Sequence, residues 1–238
     1  MRPTRPTRPT PIVAVARYLL LDRVTYLVMP WTWAAFAFVI DVVVLRLTPA
    51  GGTDHRWVGG LAAVFVVVFV VGLQSVARAL PFALSLGISR RGYFLGATSL
   101  ALALAVAFGL VVAVGQAVER KTGGWGMDMG YFRIPYLLDG PWYLSWLTAT
   151  LAFVLMFVYG MWYGLVHRRA GAVGTVVFGA AQLSVLALAA VVATWVHGWA
   201  DVGHFFVTVT AAGVTGVLGA VVALLLAGGF ATIRRLSV

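Results

Sequence analysis

The chain has 238 residues, of which 62% are hydrophobic and only 10% charged, with a mean hydropathy of +0.98. Soluble domains carry about 25% charged residues, so this much apolar surface requires lipid, and an ordinary soluble domain or a mostly disordered chain is excluded. Cysteine is absent, which removes disulfides, thiolate catalysis and thiolate metal sites; the 17 Lys plus Arg against 7 Asp plus Glu fall between apolar runs, as membrane topology signals do and as a nucleic-acid surface does not.

Residues 1–11 repeat a basic Arg-Pro-Thr unit three times. Proline removes backbone donors and the cations repel one another, so a disordered tail is expected, without the apolar core or cleavage site of a secretory signal. Residues 12–27 are apolar but interrupted by Arg17, Asp22 and Arg23. They read as an interfacial helix in the headgroup plane, with Tyr18, Leu19, Leu20 and Leu21 partly sunk, that turns at Pro30 into a transmembrane domain over 28–238. A spanning helix needs about 20 mostly apolar residues, and the first such stretch is Val28–Leu47. Asp41 is the one acid well within a span. Five residues, or about 7 to 8 Å of helix, separate it from Arg46. It reads either as an outer-interface group paired with Arg46, Arg56 or water, or as a polar lining element of an outward vestibule.

The second span, Trp57–Leu80, leads into Arg78-Ala-Leu-Pro81-Phe82-Ala-Leu84-Ser-Leu86-Gly87-Ile88-Ser89-Arg90-Arg91. Pro81 suits a first helical turn, Gly87 a helix end, and Ser89 the cap of the next span, which predicts a brief helix between two membrane helices. Apolar Phe82, Leu84, Leu86 and Ile88 beside Arg90 and Arg91 fit a docking surface, and equally an interfacial turn with topology-setting arginines. The Pro81–Leu84 and Gly87–Arg91 stretches, with an interfacial leader, six spans and both ends inside, resemble an ABC-2 type transporter permease. That resemblance implies an elbow helix over the leader, and a coupling helix between the second and third spans that seats in a separate ATP-hydrolysing subunit. It makes Phe82, Leu84, Leu86, Ser89, Arg90 and Arg91 the expected contacts with that subunit. It also implies two permease chains, identical or related, with two ATPase chains that bind the ATP and magnesium.

The third span, Tyr93–Val118, is followed by the longest polar interval, Glu119–Pro141, where Gly123, Gly124, Gly126, Gly130 and Gly140 alternate with Trp125, Tyr131, Phe132 and Tyr136. Flexible backbone with amphipathic rings fits an outer cap or gate, and also an interfacial loop. Trp142–Val166, Gly171–Val196 and Phe205–Phe230 complete six spans. Gly160, Gly164, Gly213, Gly216 and Gly219 permit close backbone approach, within the chain or at a dimer seam. Gln182 and Ser184 lie near mid-span and are the first candidates for contact with cargo, against ordinary interhelical hydrogen bonding. His197, Asp201 and His204 have a spacing compatible with one helical face, but Gly198 and Gly203 argue for a solvated loop, and no metal site is assigned.

With the amino terminus inside, 12 basic residues fall on the inner side and 5 on the outer. The fold expected is therefore an all-α polytopic membrane protein of six transmembrane helices, with an interfacial amino-terminal helix and both termini cytoplasmic, in the inner (plasma) membrane. No phosphate-binding loop sequence and no G-x-S-x-G occur, so neither ATP hydrolysis nor serine hydrolysis is expected of this chain, nor a cofactor of its own. Sixteen arginines to one lysine, with abundant Ala, Val and Gly, fit a bacterial gene of high G+C content. The functional expectation is the membrane half of an ATP-driven exporter of a lipophilic substrate. The alternatives are a motor-independent secondary transporter or channel, for which Asp41 is nearly the only buried ionisable group, and a membrane anchor or assembly subunit.

Overall fold

The computed structural model describes residues 11–48, 56–134, 141–208 and 210–234. The basic repeat before Pro11 lies outside them, as do Pro135, Tyr136, Gly140 and Arg235. The described chain is mostly helical. Helix α1 (Pro11–Leu19) is followed by α2 (Val24–Leu47), α3 (Ala62–Ser85), α4 (Arg90–Lys121), α5 (Trp142–Trp195), α6 (Trp199–Thr208) and α7 (Ala211–Arg234). Two residues at Arg56–Trp57 (β1) pair in parallel with Met129–Gly130 (β2), joining Arg56 to Met129 and Trp57 to Gly130. Among the described residues, α2, α3, α4, α5 and α7 are long and apolar enough to cross a membrane.

The leader is shorter than its sequence pattern indicates. It ends at Leu19, and the chain turns at Leu20–Asp22 rather than at Pro30. Asp22 decides the break, because its carboxylate accepts the Thr25 N–H at 3.1 Å and so caps the helix that follows. Pro30 then lies inside a continuous helix. The proline ring ordinarily collides with the carbonyl four residues back, but Val24–Val28 winds as a wider π turn, with Met29 N–H donating to Val24 O. The same device recurs in α3, where the π turn Ser75–Ala79 precedes Pro81. There the carbonyl of Ser75 accepts from both Leu80 N–H and the Tyr93 hydroxyl. Residues 80–85 are consequently the last turns of α3 and not a detached helix.

Helix α5 has 54 residues, about 81 Å if straight, far more than a bilayer needs. Gly171 folds it in two with φ 65° and ψ −164°, a backbone conformation essentially restricted to glycine. His167 meets Thr175, Tyr163 meets Phe178, and Tyr159 meets Gln182. These pairs are nearly equidistant from Gly171, so residues 142–170 and 172–195 form an antiparallel hairpin. The sequence places a loop between these spans, whereas a single glycine makes the reversal.

The core is α3, α4 and the first arm of α5. A Cβ on Gly72 would lie 2.1 Å from Phe157 O, and one on Gly160 would lie 2.0 Å from Phe69 O. Gly164 faces Leu73 O and Val76 in the same seam. These glycines therefore pack α3 against α5 within the chain. Phe65 stacks on Phe153 at 4.6 Å, and Phe108 meets Phe153 edge-on at 5.6 Å. Helix α7 is tied to α5 by the Thr148–Thr215 hydroxyl pair at 2.7 Å and by Trp162 Nε1 donating to Leu225 O at 3.0 Å. Helix α1 lies across α4, with Val15 fully buried against Gly96.

Candidate functional site

The segment from Leu80 to Arg91 is shaped by local chemistry. Gly87 adopts φ 80°, Ile88 N–H donates to Ala83 O and Gly87 N–H to Leu84 O, a Schellman stop for α3. Gly92 N–H donates to Ser89 Oγ at 3.1 Å, which caps α4. Four residues, 86–89, thus make the whole turn between two long helices. Leu80 and Ala83 are buried, so Phe82 and Leu86, four residues apart on one helical face, point away from the bundle and are 51% and 61% exposed. Tyr18 of the leader stacks on Phe82 with ring centroids 5.6 Å apart. Leu84 and Ile88 pack against the core, Arg90 is half-buried, and Ser89 and Arg91 are exposed. Of the six residues singled out here, Phe82, Leu86 and Arg91 form an outward surface, Ser89 serves as a cap, and Leu84 turns inward.

Contacts fix which residues share each end of the bundle. Val15 meets Gly96, Tyr18 meets Phe82, Gly164 meets Val76, and Phe94 meets Phe230. One end therefore carries Arg17, Arg23, Arg78, Arg90, Arg91, Arg168 and Arg169, with Asp22 as its acid among the described residues. At the opposite end stand Arg46, Arg56, Arg120, Lys121 and Arg133 with Asp41, Glu119, Asp128 and Asp201.

Asp41, Gln182 and Ser184 are not brought together. Asp41 is half-buried and accepts the Gly60 N–H at 3.1 Å, while Arg56 donates to Leu45 O at 3.1 Å and Thr48 O at 3.4 Å. A guanidinium on the last carbonyls of α2 complements the helix dipole. Gln182 accepts the hydroxyls of Tyr159 at 2.5 Å and Tyr163 at 2.6 Å, which joins the two arms of the hairpin. Ser184 is exposed on the second arm. The loop expected over His197, Asp201 and His204 is partly helical: His197 turns with φ 54°, and Asp201 and His204 lie on α6. Among the described residues no three His, Asp or Glu side chains are grouped to hold a metal.

The interval after α4 conceals a site that the sequence reading missed. Glu119, 2% exposed near the end of α4, accepts from Phe132 N–H at 2.8 Å, Tyr131 N–H at 2.9 Å and Trp125 Nε1 at 3.3 Å, all through Oε2. Its Oε1 is buried with no hydrogen-bond partner among the described residues. Gln116, one turn earlier, donates to Phe132 O at 3.0 Å. Positive φ at Gly123, Trp125, Gly126 and Asp128 curls the chain so that these donors converge. The available signal is electrostatic: an acid in the last turn of a helix opposes the helix dipole and requires compensation. Tyr131 is 1% exposed and donates to Ala34 O at 2.7 Å, and burial, with the Asp41 carboxylate adding, pushes its phenol up to about 12. Below this cap, Trp31, Ala35 and Phe38 of α2 and Val111 of α4 line an almost wholly apolar groove of about 340 Å³. No family model, curated protein or solved structure matches the chain.

Proposed function

We propose that this chain is the transmembrane permease subunit of an ATP-driven exporter of the ABC-2 type, crossing the membrane six times with both termini in the cytoplasm. The observation that carries the reading is the exposed Phe82–Leu86 face beside Arg91, on the end of the bundle where arginine is concentrated. Short segments rich in arginine stay inside, so this face looks into the cytoplasm. An exposed aromatic and an exposed leucine flanked by cations suit a cleft in a soluble partner. The partner is an ATPase subunit, because hydrolysis needs a phosphate-binding loop that this sequence lacks. It holds the ATP and magnesium, and a second permease chain completes the passage. The stacking of Tyr18 on Phe82 links the leader to the same surface, so a push on residues 80–91 reaches α1 and α4 together. The apolar groove beneath the outer cap favours a lipophilic cargo.

The test is ATP hydrolysis by the reconstituted complex with Arg90→Glu and Arg91→Glu. The expected outcome is a loss of coupled hydrolysis or of assembly of about tenfold or more, since opposing charge is placed where charge-assisted contacts form. Unchanged coupling and assembly would remove the assignment, and so would gradient-driven transport by the purified chain alone.

A further inference from the structure

A cleft at the arginine-rich end combines features that the coupling surface does not use. It lies between the end of α1, the start of α2 and the π turn of α3, and has a volume of about 340 Å³, within the range of roughly 300–1,000 Å³ typical of small-molecule sites. Unlike the groove under the outer cap, its walls are mixed. Asp22, Arg78 and Gln74 supply an anion, a cation and a carboxamide, with Tyr18 and Tyr26 beside them and exposed Leu21 at the margin. Asp22 and Arg78 do not pair with each other: among the described residues the hydrogen bond that engages the Asp22 carboxylate comes from Thr25 N–H and reaches Oδ1, not Oδ2. Among the described residues, Arg78 and Gln74 likewise have no side-chain hydrogen bond. Along α3, Arg78 stands about 24 Å of helix rise from Ala62, near the inner edge of a hydrocarbon core about 30 Å thick.

We propose that this cleft binds the headgroup of an inner-leaflet phospholipid that carries both a phosphate and a primary ammonium, as phosphatidylethanolamine does. Opposite charges that face one cavity without neutralising each other match a zwitterion. The guanidinium of Arg78 takes the phosphate, as a basic group between membrane helices at the cytoplasmic face does. The Asp22 carboxylate accepts from the ammonium, and the acyl chains leave past Leu21 into the bilayer. Gln74 bonds the phosphoester or glycerol oxygens. The bound lipid bridges the leader, α2 and α3, three elements that meet at this cleft. The inference rests on the proposed inward orientation of the arginine-rich end, and not on the ATPase partner, so failure of the lipid test leaves the coupling assay untouched.

The experiment uses the full chain, delipidated in detergent and titrated with phosphatidylethanolamine or phosphatidylglycerol in mixed micelles, with retained lipid counted by native mass spectrometry. The expected result is one phosphatidylethanolamine per chain, held about tenfold more tightly than phosphatidylglycerol, the scale of one hydrogen bond to a charged group. Asp22→Asn keeps an acceptor for Thr25 N–H, so the helix start is preserved, and it abolishes the preference between the two lipids. Arg78→Gln weakens both, and Arg169→Gln, at the same end but outside the cleft, weakens neither. Equal retention of the two lipids by the wild-type chain would overturn the proposal. So would wild-type lipid binding by both the Asp22 and Arg78 variants, or displacement of the lipid by an equal concentration of soluble glycerophosphoethanolamine, which would reduce the cleft to a small-phosphoester site.

Discussion

Glu119 shows how one side chain organises a segment whose regular structure is only short, the two-residue strand β2 included. Its single oxygen Oε2 gathers two backbone N–H groups and an indole N–H from residues 125–132. Replacing it strands donors that are already out of water, and each stranded buried donor costs about 1–3 kcal/mol. Glu119→Ala is expected to lower the thermal stability of the purified chain and to raise the amide exchange of Tyr131 and Phe132, followed by hydrogen–deuterium exchange. Glu119→Gln keeps an acceptor and is expected to lose clearly less. Equal behaviour of the two variants would mean that the carboxylate does not hold the cap. Asp41 works at smaller scale in the same neighbourhood. Its bond to Gly60 N–H fixes the chain as it enters α3, and a Cβ on Gly60 would fall 2.2 Å from Asp41 Oδ2.

Among the elements, Gly160 and Gly171 of α5 act through different physics. A Cβ on Gly171 would meet nothing within 4 Å among the described residues, so the requirement there is conformational: φ 65° with ψ −164° is open to glycine and strained for any side chain. Gly160 is ordinary helix, and its requirement is space, since a Cβ would collide with the Phe69 carbonyl of α3. Gly171→Ala is expected to cost about 1–3 kcal/mol and to disturb the hairpin, read as a changed distance between spin labels on the two arms. Gly160→Ala is expected to separate α3 from α5 and to leave the hairpin distance unchanged. The reverse pattern would show that the reversal at Gly171 is not what sets the two arms side by side. The π turns ahead of Pro30 and Pro81 belong to the same scale. Both let a proline sit inside a long helix, which is why neither proline ends one.

For the whole molecule, the absence of cysteine makes every engineered thiol unique. With the arginine-rich end inside, Ser85→Cys is expected to be labelled by a membrane-impermeant maleimide only after the membrane is opened, and Lys121→Cys in intact cells. The opposite result would invert the topology and remove the ATPase-contact reading. Much of this arrangement was legible in the chain: the long apolar helices, the cation asymmetry between the two ends, and the Gly87 and Ser89 signals, which are local and act through their own backbone. The break of the leader at Asp22, the single-residue reversal at Gly171 and the burial of Glu119 were not. Hydropathy does not distinguish a helix face against lipid from one against protein, because both surroundings are apolar.

Sequence by itself determined the solvent this protein requires and those helix ends that carry a local signal, as at Gly87 and Ser89, because transfer to lipid and end-capping depend on residues within a few positions of one another. Only the tertiary structure decided that Phe82 and Leu86 face outward while Leu84 faces in, that Gln182 joins two arms of a hairpin, and that Asp41 answers to Gly60 and not to an arginine. Those outcomes depend on which helix lies beside which. That choice is made by close packing and hydrogen bonding between residues distant in the chain, such as Gly72 with Phe157 and Tyr131 with Ala34.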